Sequence, residues 1–320
     1  MAILITGAMG HIGQEVVRQA CAAGEQVVAQ YRDTFRVEEA AALGENVTWI
    51  PCDLTDRAAV EELCTNHDID ACIHLAAVSN EAYARPEPLA AVRANVGAVA
   101  SLLDIARRRD WKRFILVSTG SVFQNLSDVK SPIFEDTPPS VVNIYGTTKL
   151  CAELTTQMYR TQFGLSAASV RISWVFGPPV VSVDPPRGPI PAFLKWALEG
   201  TSVREPSGAD FEASFTYVGD VAAGLLAAYR APKLNHDVYH LGPGVNFTTG
   251  QVATAICAAV PGAVIELGPG TEPWTTYTAP RGPLAGDRFE KDIGYTIANS
   301  LESGIQLYAD WMRAHPETYG

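Results

Sequence analysis

The run "AILITGAMGHIG", Ala2 to Gly13, starts as an apolar strand and then places Gly7, Gly10 and Gly13 where that strand gives way to a helix. Glycine permits the tight turn this needs, and lets backbone N–H groups approach a pyrophosphate at the positive end of the helix dipole. The spacing, G-x-x-G-x-x-G, is one residue off the usual dinucleotide fingerprint. Taken alone it suits a packing turn as well as a nucleotide cradle. The neighbouring sequence decides between them.

Outward from this turn, short apolar runs alternate with helix-length segments. "EQVVAQY", "VTWIPCD", "ACIHLAA", "RFILVST" and "SAASVRIS" read as strands. Such alternation predicts an α/β fold, a doubly wound parallel sheet of Rossmann type with helices on both faces. Beyond Ser173 the chain turns rich in proline and glycine ("FGPPVVSVDPPRGPIP", "LGPGTEPW"), which suits loops and a smaller lobe. The expected organisation is a dinucleotide-binding domain over residues 1–172, with 214–245 returning to it, and a substrate lobe from 173–213 and 246–320.

Composition narrows the partners. A chain of 320 residues with 47% hydrophobic content can bury a large core, and its formal net charge of −11 opposes nucleic-acid binding. The basic run "ARRRDWKR", at a predicted helix end, reads as a solvated complement to the dipole. Six cysteines without a C-x-x-C pair fit buried thiols in a reducing compartment. No apolar run is read as approaching the roughly 18 residues of a membrane span. A cytoplasmic protein with a small-molecule substrate and no membrane or nucleic-acid partner is expected.

Chemistry enters with "YGTTK", which sets Tyr145 and Lys149 at i and i+4 on one helix face. A tyrosine is a poor base at neutral pH, and a nearby ammonium stabilises its phenolate. Tyr145 is therefore the acid/base candidate and Lys149 its electrostatic partner. The strand "RFILVST" ends 26 residues earlier and presents Ser118 and Thr119. "CDLTD" sets Asp53, followed by Leu54, after the third strand, where its carboxylate can accept from an adenine amino group. "HLAA" ends the fourth strand with Leu75, Ala76 and Ala77 beside the cofactor path.

In order and spacing these motifs resemble the extended short-chain dehydrogenase/reductase family over nearly the whole chain. The resemblance implies that Gly7, Gly10, His11, Ile12 and Gly13 cradle a nicotinamide dinucleotide and that Lys149 also holds its nicotinamide ribose. It places Thr119, in "STGSVF", on the catalytic hydroxyl that orients the reacting oxygen, with Ser118 behind it. Asn95, in "RANV", matches an asparagine that supports the active-site backbone and is counted with the cofactor residues. The second strand ends "VVAQYRD", with Tyr31 at the usual acidic position and Arg32 after it, a pattern that looks like NADP users; NAD is the alternative, with Asp33 serving the ribose. A homodimer through the Asn95 and Tyr145 helices is implied as well.

Substrate class is read from "RISWVFGPP". Nucleotide-sugar enzymes of this kind usually meet the diphosphate with an asparagine where Trp174 stands and an arginine where "FEASFTYVGD" has Ala213, with Ser214 at the acidic position. An indole cannot replace an amide in the same pose, although reductases of dTDP-linked deoxysugars also read "SWV". Trp174 and Phe176 are expected as pocket walls, and Ser79 and Asn80 as polar substrate contacts. Arg187 and Arg281, in the proline-rich loops, could meet a substrate carboxylate, with surface solvation the leading expectation for each, and the histidines show no metal spacing. The expected function is NAD(P)-dependent interconversion of an alcohol and a carbonyl on a small, non-nucleotide, sugar-like substrate. The alternatives are a sugar or nucleotide-sugar epimerase or dehydratase with retained NAD, and a dinucleotide sensor without turnover.

Overall fold

The computed structural model describes residues 1–179, 188–275 and 277–318. Seven parallel strands form the central sheet: β1 (Ala2–Thr6), β2 (Val27–Tyr31), β3 (Val47–Pro51), β4 (Ile69–His74), β5 (Arg113–Thr119), β6 (Ala167–Ile172) and the strand Val238–Leu241. Their spatial order is β3, β2, β1, β4, β5, β6 and then Val238–Leu241. The chain reverses direction across the sheet between β1 and β4, and the crevice at the carboxyl ends of these two strands is where such sheets bind ligands.

Both faces of the sheet are covered, which is why its strands are apolar throughout rather than alternating. On one face Val16, Val17 and Ala20 of helix α1 (His11–Ala22) pack with Val221 and Leu225 of the helix Val218–Arg230. On the other, Val60 and Leu63 of Arg57–Asn66, Val99 and Leu102 of Ala98–Arg108, and Ala152 of Ile144–Phe163 form a second core. Local chemistry sets the helix ends. The Asp56 carboxylate accepts from Ala58 N and Ala59 N, and the Ile144–Phe163 helix stops at Gly164, whose φ is +70°.

A third core, with Phe193, Phe211, Phe215, Ile256, Ile305 and Tyr308, builds the smaller lobe. The helix Val218–Arg230 and the strand Val238–Leu241 lie on the main sheet. The helix Asp287–Ile293 also sends Phe289 into the first core, so residues after 246 do not all belong to the lobe as expected.

One helix runs against the expectation that no apolar run approaches a membrane span. Residues Pro88–Arg108 form a helix of 21 residues holding an 18-residue stretch of mean hydropathy 1.5, long and apolar enough to cross a membrane by length and composition. In the fold one side of it packs into the second core through Val99, Leu102 and Leu103. A π-turn at Arg93–Gly97 interrupts it and carries Asn95.

Candidate active site

A cleft of about 710 Å³ opens at the carboxyl ends of the central strands and runs from Arg32 to Trp174. The glycine turn forms one wall. Gly7 has φ +65°, and a Cβ on it would sit 2.9 Å from Ala76 N; a Cβ on Gly13 would lie 2.2 Å from Gly7 O. Gly10 caps α1 without a side-chain hydrogen bond, so the positive end of the helix dipole faces the cleft. His11 and Ile12 line the same wall, and His11 Nε2 lies 2.9 Å from Gly177 O. These residues fit a dinucleotide: the turn admits no side chain where a pyrophosphate must approach.

Two side chains that sequence reasoning missed hold this wall. Gln30, buried in β2, accepts from Gly7 N at 2.9 Å and donates to Cys52 O at 2.6 Å. Thr6 Oγ1 accepts from Leu75 N and Ala76 N at 3.1 and 3.2 Å and lies 2.8 Å from His74 Nδ1. Burial brings the His74 imidazole down to about 3, so it is neutral and serves the turn rather than the chemistry. Leu75, Ala76 and Ala77 then line the cleft as expected.

At the adenosine end Asp53 and Leu54 face the cleft, and Asp53 Oδ1 accepts from Thr55 N and Oγ1, which holds the carboxyl below its usual range. Tyr31, Arg32, Asp33 and Arg36 also line this end. Arg32 pairs with Asp33, and Arg36 pairs with Glu39 at 2.6 Å while donating to Met9 O.

Asn95 does not touch the cofactor cleft, contrary to its assignment among the cofactor residues. It is buried behind the wall, where Oδ1 accepts from Val78 N at 2.8 Å and Nδ2 donates to Val78 O and Thr148 Oγ1. It lies in the π-turn and braces the Val78–Ser79–Asn80 segment against the Tyr145 helix.

The reacting end assembles Thr119, Tyr145 and Lys149 on the cleft floor. Asn143 caps the helix by accepting from Gly146 N at 2.7 Å, and Glu81 Oε2 accepts from Tyr145 N at 2.9 Å. Burial pushes the Tyr145 phenol up, while its hydrogen bond with Thr119 and the Arg281 guanidinium pull it back down. Lys149 Nζ donates to Val117 O at 2.7 Å, and burial lowers the ammonium to about 8. The Arg281 guanidinium thus bears on the Tyr145 phenol, a role the sequence did not assign to it.

Ser118 borders the cleft beside Thr119, but its hydroxyl is turned to Glu153, to which it donates and which Arg171 also grips. Ser79 and Asn80 line the cleft, and Asn80 caps the following helix by accepting from Tyr83 N. Trp174 lines it too, with Phe211 and Phe215 edge-on to its indole. Phe176 does not: it is buried against Tyr217 and beneath Gly304, because the strand Trp174–Phe176 runs from the cleft into the lobe core. Arg281 is likewise not solvated as expected; it is buried and lines the cleft. Arg187 lies outside the described residues.

A phenol, a hydroxyl and an ammonium gathered beyond a turn that fits a dinucleotide are groups suited to hydride transfer at a carbinol. With this sheet they define an NAD(P)-dependent enzyme of the short-chain dehydrogenase/reductase class. The model of the NAD dependent epimerase/dehydratase family matches residues 3–242, and the chain belongs to that family.

A UDP-glucose 4-epimerase of Halalkalibacterium halodurans is 28% identical, over 100% of this chain and 98% of its own length. A UDP-glucuronate 4-epimerase of Thermodesulfobacterium geofontis is 28% identical over 76% of this chain and 75% of its own. The Thermotoga maritima UDP-glucose 4-epimerase solved with UDP-glucose superposes with a TM-score of 0.86 at 23% identity, covering 98% of this chain and 99% of that one. At that identity the likeness is one of fold.

Proposed function

We propose that the protein oxidises a secondary alcohol of a sugar or sugar nucleotide to the ketone and reduces the same molecule back with inversion, as an epimerase. The observation that carries this reading is the meeting of Thr119, Tyr145 and Lys149 on the floor of one cleft, with Lys149 one helical turn from Tyr145 and Thr119 lowering the Tyr145 phenol. Thr119 Oγ1 holds the reacting oxygen and Tyr145, as phenolate, takes its proton. A nicotinamide held by the glycine turn would supply the hydride acceptor and donor, and inversion requires the ketone to turn its opposite face to it before reduction. On the way back Tyr145 gives the proton to the same oxygen, so the step closes without net consumption of cofactor.

Elimination needs a further acid/base pair beside the reacting carbons. Thr119 is followed by Gly120 and Ser121, and the cleft carboxylates among the described residues are Asp33 and Asp53 at the adenosine end and Glu81, engaged by Tyr145 N. This favours epimerisation over dehydration. The full-length similarity to a UDP-glucose 4-epimerase supports it over net oxidoreduction.

We take the cofactor to be NAD. NADP is the sequence expectation, but Arg32 and Arg36 each face a carboxylate, Asp33 and Glu39, which leaves no net positive charge there for an added phosphate. Asp33, 71% exposed, is available to the ribose hydroxyls. The exposed Leu89, Val92, Leu154 and Met158, on the Pro88–Arg108 and Ile144–Phe163 helices, support a homodimer through these two helices.

The test is to incubate the purified protein, with no dinucleotide added, with neutral and acidic sugars, free and UDP-linked. Conversion of one of them to its epimer without build-up of reduced cofactor is expected. Stoichiometric cofactor reduction would instead mean net oxidoreduction.

A further inference from the structure

We propose that Arg281 selects the substrate by pairing with a carboxylate carried on the carbon next to the reacting alcohol; the proposal rests on the sugar-oxidation reading above. Arg281 is only 8% exposed, yet among the described residues no carboxylate lies within ion-pair distance of it. Its hydrogen-bond partner among them is the neutral Ser173 Oγ, 3.1 Å from Nη2. A buried cation without an anion is costly, and one that lines a cleft calls for an anionic ligand.

The fold builds this position rather than leaving it to a loose loop. Asn246 Nδ2 donates to Arg281 O at 2.8 Å, and Asn246 Oδ1 in turn accepts from Ser214. A Cβ on Gly282 would lie 1.9 Å from Ser131 O, so only glycine lets the strap press against its neighbour. Just beyond, Ile133 N donates to Pro283 O and Ala285 N to Ile133 O, which fastens the strap. On the other side a Cβ on Gly120 would lie 2.9 Å from Arg281 Nε. The glycine after Thr119 makes room for the guanidinium.

Depth identifies the ligand group. Arg281 flanks Gly120 and acts on the Tyr145 phenol, so an anion on it sits beside the reacting carbon. A diphosphate linked at the far side of the sugar would lie elsewhere. The planar guanidinium fork matches a carboxylate, which it can hold through two N–H bonds. The arginine stays charged at neutral pH, although burial lowers it to about 10.

The experiment uses the full chain carrying Tyr145→Phe, loaded with NAD, to hold substrate without turnover. Calorimetric titration compares glucuronate with glucose and UDP-glucuronate with UDP-glucose. In at least one pair the acid is expected to bind ~100-fold more tightly than its neutral partner, because a site with an unpaired buried charge rejects the analogue lacking the counter-ion. Adding Arg281→Met should bring the acid down to the level of the neutral sugar, and Arg281→Lys should restore only part of the preference.

Equal binding of acid and neutral sugar in both pairs, or no binding of either acid, overturns the proposal. So does a loss on Arg281→Met that is the same for both members of a pair, which would mean that the arginine acts through the phenol site alone. A protein that never takes up NAD fails before any sugar is added, and that outcome overturns the parent reading, and this one with it.

Discussion

Arg171 grips Glu153 through Nη2 at 2.7 Å and Nε at 3.0 Å directly behind the active-site floor, with both side chains under 5% exposed. Glu153 also accepts from Ser118 and lies one helical turn beyond Lys149, whose ammonium its charge favours. Breaking such a pair from one side leaves a buried charge without a partner. Glu153→Gln or Arg171→Met is expected to cost about 3–5 kcal/mol of stability, and replacing both with apolar residues to cost much less. Urea unfolding of the three variants checks this.

Asn95 fastens Val78 by both ends of its amide and so fixes the segment carrying Ser79 and Asn80. Asn95→Ala leaves Val78 N and O unpaired, which is expected to cost about 1–3 kcal/mol and to weaken dinucleotide binding although no cofactor contact is removed. Thermal unfolding and a fluorescence titration with the reduced dinucleotide, run together, separate the two effects.

Gly13→Ala is expected to abolish dinucleotide binding, since its methyl group would lie 2.2 Å from Gly7 O. Gly24→Ala is the control: its φ is +81°, but nothing stands within 4 Å of the added carbon. Its cost should be only the backbone strain, about 1 kcal/mol. A Gly13→Ala protein that still bound the dinucleotide normally would disprove the cradle.

Thr119 pulls the Tyr145 phenol down against the effect of burial. Oxidation needs the phenolate, so its rate falls as pH drops below the phenol's pKa. Thr119→Val raises that pKa, and the acid limb of the oxidation profile should move to higher pH, with kcat lower by roughly 100-fold or more. A pH series of kcat on wild type and variant reads both.

Lys149 gives a stability signature. Its folded value of about 8 lies below the ordinary 10.5, so the unfolded chain binds more protons between these values and stability rises with pH across that window. The contribution is fully present above 10.5 and lost as pH falls through 8. Against Lys149→Met, the wild type should therefore gain a few kcal/mol on going from neutral to alkaline pH, measured by denaturant titration at each pH.

Much of this was legible in the amino-acid order because it is local. The glycine turn, the apolar strands and the Tyr145/Lys149 pair each lie within a few residues, and periodicity locates them. The rest depends on distant segments meeting. Arg281 looks like any arginine in a proline-rich loop until Gly282 lets its strap press against Ser131. Phe176 shares the face expected of Trp174 by alternation, yet the strand has by then entered the lobe core. Asn95 is recognisable by position, but the π-turn that carries it is not announced by residue type.

In the proposed reaction the cofactor stays bound while the substrate is oxidised and reduced in place. Denaturing the freshly purified protein and identifying the released dinucleotide by chromatography decides this. Close to one NAD or NADH per chain is expected. A protein that emerges empty, and that turns over only when NADP is added, would contradict it.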